Sequence, residues 1–129
     1  MKFYESGDSS KPVIFLFPGT CCLYSSFEHV LDGLHSYFYT ITVSYDGFDP
    51  NEKTEFYSME DECEKIDVPG TTIHVFYATK MGKKYEKRYC TYFKNPDIRR
   101  HNMQHEELFC CHSAEWVEEV RKAVEGDKQ

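Results

Sequence analysis

The chain has 129 residues, a formal charge of −7 and 40% hydrophobic residues, with ten Tyr and ten Phe. That length suits one domain with a real core, residues 1–129, and is too short for two. The acidic balance gives no general attraction for nucleic acid or an anionic membrane, so neither is an expected partner.

The first strand-like run covers residues 13–17 and is continuously apolar; Pro18, Gly19 and Thr20 end it. A helix is predicted next, with Ser25 as N-cap and Glu28 three residues on as a capping box. Its apolar stripe is Phe27, Val30, Leu31 and Leu34. The second strand, residues 39–45, alternates Tyr39, Ile41, Val43 and Tyr45 with Thr40, Thr42 and Ser44, so one face should be less buried. After a polar loop, a short helix should start at Ser58, with Asp61 at the boxed position and Met59, Cys63 and Ile66 on one side. Residues 67–70, Asp-Val-Pro-Gly, break it. The third strand, residues 72–78, is apolar apart from His74. A helix over residues 80–93 should turn Met81, Tyr85, Tyr89 and Tyr92 inward. The fourth strand, residues 98–102, is short and carries Arg99 and Arg100. The last helix begins near Ser113 and should bury Trp116, Val117, Val120 and Val124.

Strict alternation of strand and helix predicts an α/β fold: a three-layer sandwich around a four-stranded parallel sheet, flavodoxin- or Rossmann-like. The first and third strands look buried on both faces and should be central. The second and fourth look like edges. The order 2-1-3-4 satisfies this with right-handed crossovers, and it opens a cleft at the carboxyl ends of the strands where a small ligand could sit. Residues 1–11 lack the apolar core of a signal peptide, and no apolar run approaches the roughly 20 residues that cross a bilayer. A cytoplasmic monomer or homodimer is therefore expected, with its six cysteines as reduced thiols.

Four segments resemble an α/β-hydrolase in the family's own order. K-P-V-I-F-L-F-P-G-T-C-C at 11–22 looks like its strand and oxyanion loop, and V-S-Y-D-G-F-D at 43–49 like the next strand and loop. I-H-V-F-Y-A-T-K at 73–80 resembles the strand that carries the catalytic acid. N-M-Q-H-E-E-L at 102–108 resembles the loop of the catalytic histidine. Residues 11–66 thus resemble the N-terminal part of the family and 71–124 the C-terminal part. The G-x-S-x-G elbow that holds the family's serine does not occur, and no carboxylate follows the third strand. The resemblance implies a truncated hydrolase-like domain, lacking elbow and lid, without esterase activity.

On that resemblance His105 is the relict general base, and Thr20 and Cys21 supply the oxyanion loop. Cys21 or Cys22 is the alternative nucleophile, which with His105 would make a weak Cys-His hydrolase. Asp46, Asp49, Glu106 and Glu107 are the carboxylates that could orient the histidine. A third reading is a flavodoxin-like binder of a small molecule or phosphate, although Gly19 alone does not make a phosphate cradle. No cofactor is expected. The pairs Cys21-Cys22 and Cys110-Cys111 lack zinc-knuckle spacing, and His101, His105, Glu106 and His112 lack that of H-E-x-x-H, so no metal is expected either.

Overall fold

A computed structural model describes residues 1–19, 22–66, 72–92 and 95–126, apart from the side chains of Met59, Cys63 and Tyr92. The chain divides into two compact units, Met1–Asp67 and Val68–Gln129. The first contains β1 (Lys2–Ser6), β2 (Val13–Leu16), α1 (Glu28–His35), β3 (Tyr39–Ser44) and α2 (Met59–Glu64). The second contains β4 (His74–Ala78), α3 (Lys84–Tyr92), β5 (Asp97–His101), α4 (Glu107–Cys111) and α5 (Ser113–Glu125).

The expected four-stranded parallel sheet of order 2-1-3-4 is not formed. The first unit has a mixed three-stranded sheet of order β1-β3-β2, the second a two-stranded parallel sheet, β4-β5. The class is therefore α+β. The added strand is β1, which pairs antiparallel with β3 from Lys2↔Ser44 to Ser6↔Thr40. On the other side of β3, β2 pairs in parallel, from Val13↔Tyr39 to Leu16↔Thr42. The strand assigned to an edge is thus central. The first apolar run lies at the sheet's edge, with Val13 53% exposed. Its apolar character did not report its position, because burial of a strand also depends on what covers its two faces.

The face of β3 that is most buried is the hydroxyl face. Thr40 and Ser44 are fully buried and Thr42 nearly so, while Tyr39 and Ile41 are half-buried. Burial of hydroxyls is tolerated because each finds a partner. Thr40 Oγ1 lies 2.8 Å from Ser6 Oγ, and Thr42 donates to the Tyr4 carbonyl at 3.4 Å. Ser44 Oγ accepts from the Tyr24 N–H at 3.3 Å. Phe27, Val30, Leu34, Phe38, Val43 and Tyr45 are buried in this unit, with Leu34 and Val43 wholly inaccessible.

The capping box predicted at Ser25 is replaced by a 3-10 turn, Tyr24–Phe27, that leads into α1 without a side-chain cap. At α2 the predicted cap does form, with Ser58 Oγ accepting from the Asp61 N–H at 3.1 Å. The side chains of Met59 and Cys63, and the break at residues 67–70, lie outside the described residues.

In the second unit β4 and β5 pair in parallel register, His74↔Asp97 to Ala78↔His101. The helix expected over residues 80–93 is divided: a 3-10 turn, Thr79–Met81, precedes Gly82 at φ +95°, and α3 starts after it. Leu108, Trp116, Val117, Val120 and Ala123 form the buried side of α4 and α5. Ala123 takes the place expected for Val124, which is 40% exposed. Phe76 and Phe109 lie against Trp116, with ring centroids 6.1 and 5.2 Å away. Among the described residues, no helix is long and apolar enough to cross a membrane.

Candidate functional site

The residues singled out on the hydrolase resemblance fall in both units. Thr20 and Cys21 lie outside the described residues. Cys22, in the first unit, is a half-buried free thiol whose N–H closes a turn on the Gly19 carbonyl at 3.0 Å. His105 belongs to the second unit, on an exposed turn before α4. In that turn Glu106 adopts φ +60°, and Glu107 accepts from the Gln104 N–H at 2.6 Å. Glu107 is therefore committed to its own backbone. Cys90, Cys110 and Cys111 are exposed free thiols, and partial desolvation, with Glu106 beside it, raises the Cys110 thiol.

Asp46 and Asp49 stand together in the first unit, where a cavity of about 320 Å³ opens at the carboxyl end of β3. The start of β1 supplies Lys2 and Phe3, the end of β3 supplies Ser44, and the following loop supplies Tyr45, Asp46, Asp49, Glu52 and Thr54. Antiparallel pairing explains the assembly, because it sets the first residues of β1 beside the last of β3. The loop is folded back on itself. Thr54 Oγ1 accepts from the Gly47 N–H at 3.0 Å, and the rings of Phe48 and Phe56 meet at 5.3 Å. Gly47 lies at φ +76°, and a Cβ there would come within 2.7 Å of the Phe56 nitrogen, so glycine is required at that turn.

Each carboxylate at the cavity has a fixed partner. The Tyr4 hydroxyl donates to Asp49, and the Asn51 N–H adds a bond of 2.9 Å. These bonds hold the Asp49 carboxyl below its usual range, while burial, more than Asp49 itself, raises the Tyr4 phenol. Tyr4 also stacks on Tyr24, with centroids 3.7 Å apart. Glu52 pairs with Lys2 at 2.6 Å.

Asp46 takes part in a denser network. The Lys65 ammonium reaches Asp46 at 2.5 Å, Asp61 at 2.6 Å and Glu62 at 2.8 Å. Glu62 is fully buried and also accepts from the Asp46 N–H at 3.2 Å. The Met1 α-ammonium pairs with the other Asp46 oxygen. Lys65 first, and then that ammonium, hold the Asp46 carboxyl down to about 2. Among the described residues these three carboxylates are the one group of His, Cys, Asp and Glu close enough to share a metal ion. The Lys65 charge already occupies that position. Part of this network is visible in sequence, since Asp61 and Glu62 precede Lys65 at helical spacing. Nothing local ties Asp46 to it.

A second polar cluster lies at the opposite end of β1. His35 Nε2 is 3.0 Å from Ser6 Oγ and 3.1 Å from Thr40 Oγ1. Sequence reading passed over Ser6 and His35 because they are 29 residues apart and fit no motif. In the second unit His74 Nδ1 lies 2.9 Å from Asp97, which also accepts from Arg99 at 3.0 Å. Together these two, His74 foremost, depress the Asp97 carboxyl.

In comparisons with family models, curated proteins and solved structures, nothing matches this chain.

Proposed function

We propose that this chain is a hydrolase-like module that binds a small molecule and does not turn over esters. The observation that supports this reading is the cavity at the carboxyl end of β3 and its ring of pre-positioned carboxylates. A volume of about 320 Å³ lies within the range of small-ligand pockets. Asp46, Asp49 and Glu52 line the cavity together with Lys2 and the Met1 ammonium, so its wall carries both signs and suits a neutral polar ligand. Acyl transfer of the hydrolase kind needs a nucleophile on a strained turn beside a base and an oxyanion hole, and the sequence has no elbow serine.

Two measurements test this. In the ¹⁵N-labelled full chain, a fragment set of small amines, amino acids and sugars should shift the amides of Phe3, Ser44, Asp49 and Thr54. An unresponsive cavity with all of them would remove the binding reading. With p-nitrophenyl acetate at neutral pH, steady-state turnover should stay at the buffer rate. Turnover abolished by His105→Ala and by Cys21→Ala or Cys22→Ala would instead establish the thiol–histidine hydrolase.

A further inference from the structure

We propose that Ser6 is a reactive hydroxyl, activated by His35 and able to take one acyl or phosphonyl group from an activated small ester. The site is separate from the cavity, at the other end of β1, and concerns a single covalent event rather than turnover.

Nucleophilic serines are recognised by a base within hydrogen-bond reach and a third group that fixes the pair. Ser6 Oγ and His35 Nε2 are 3.0 Å apart. Thr40, fully buried on β3, touches both members, with its hydroxyl oxygen 2.8 Å from Ser6 Oγ and 3.1 Å from His35 Nε2. Two proton arrangements fit the 2.8 and 3.0 Å contacts, and activation requires the one in which Thr40 donates to Ser6 and Ser6 donates to an unprotonated His35 Nε2. This leaves the imidazole hydrogen on Nδ1. The competing arrangement, in which Thr40 donates to the Ser6 carbonyl at 3.2 Å, Ser6 donates to Thr40 and Nε2 donates to the hydroxyls, places the hydrogen on Nε2 instead.

The surroundings hold the ring in place. His35 closes α1, and the Lys11 ammonium donates to its carbonyl at 2.6 Å and to that of Ser36 at 3.3 Å. Gly7 follows Ser6 at φ +95°; a Cβ there would sit 2.9 Å from His35 Cδ2 and 3.2 Å from the Phe38 carbonyl. Glycine therefore lets the chain turn closely over the imidazole. Ser6 and His35 are half-buried, and Gly7 and Asp8 beside them are exposed.

The step balances simply. The Ser6 proton moves to His35 Nε2 as Oγ bonds to the acyl carbon or the phosphorus. The bond to the leaving group breaks, and that group departs with the proton returned from His35.

The test is labelling of the intact chain with a fluorophosphonate, read by whole-protein and peptide mass spectrometry. One adduct is expected, on Ser6, and Ser6→Ala should abolish it. His35→Gln should slow it by roughly 10²-fold or more, while Ser9→Ala should leave the rate unchanged. No adduct, equal labelling of Ser6, Ser9 and Ser10, or an unaffected rate in folded His35→Gln would overturn the proposal. Should His35→Gln fail to fold, ¹⁵N shifts of His35 in the unaltered chain decide it. A hydrogen on Nδ1 supports activation, and one on Nε2 overturns it.

Discussion

The two units use the same local plan to different effect. Each contains a parallel strand–helix–strand, β2-α1-β3 in the first and β4-α3-β5 in the second. In the first, a further strand pairs along the open side of β3, and every residue of β3 from Thr42 onward is buried. In the second, both strands have an open side, and within them Tyr77 alone is buried. An isolated two-stranded sheet is marginal in water, so the second unit draws its core from helices, chiefly the Trp116, Val117, Val120 and Ala123 side of α5. The polar clusters follow the same division. The first unit buries hydroxyls and two carboxylates, Asp49 and Glu62, among fixed partners, whereas α5 carries its charges outside, in pairs such as Glu118–Arg121 and Glu119–Lys122. A central strand gives polar side chains a dry, rigid setting, and an edge strand does not.

The largest test of this contrast is truncation of each core. Leu34→Ala should cost about 2–5 kcal/mol and Trp116→Ala about 3–5 kcal/mol. Amide exchange should accelerate most in β3 for Leu34→Ala and in α5 for Trp116→Ala. Acceleration of β4 and β5 ahead of α5 in the Trp116 variant would show that the strands, not the helix, carry the second core.

A smaller effect probes the hydroxyl row on β3. Thr40→Val removes a buried partner of both Ser6 and His35 and should cost about 1.5 kcal/mol in urea unfolding. Thr42→Val, which loses only the 3.4 Å contact to Tyr4, should cost less than about 1 kcal/mol. A stabilised Thr40→Val would mean that the row is tolerated rather than used.

The smallest effect is acid lability at Asp46. Its carboxyl is held near 2 in the folded chain, below the usual unfolded value near 3.9. The group therefore contributes stability above about pH 4 and loses it as the pH falls towards 2. With allowance for solvent screening this is about 1 kcal/mol. Comparing urea midpoints at pH 5 and pH 2.5 should show a larger loss in the parent than in Asp46→Asn. Equal losses would place the acid sensitivity at other carboxylates, such as Asp49 or Asp97.

Local pattern determined most of the elements. The apolar run of β2, the Phe27, Val30 and Leu34 stripe, the Ser58 cap and the buried side of α5 through Val120 all follow from periodicity and capping chemistry, which act within a few residues. The helix expected over residues 80–93 runs through Gly82, whose left-handed φ divides that helix before α3. The tertiary structure decided the rest. Residues 2–6, Lys-Phe-Tyr-Glu-Ser, carry no predicted element and become a strand by pairing along the free side of β3. The hydroxyls of Thr40, Thr42 and Ser44 suggested an exposed face and are buried because β1, Tyr24 and His35 satisfy them. The cavity joins residues more than 40 positions apart, and Ser6 meets His35 across 29. Such pairings depend on strand register, and no local rule reports which distant segment will supply the partner of a buried polar group.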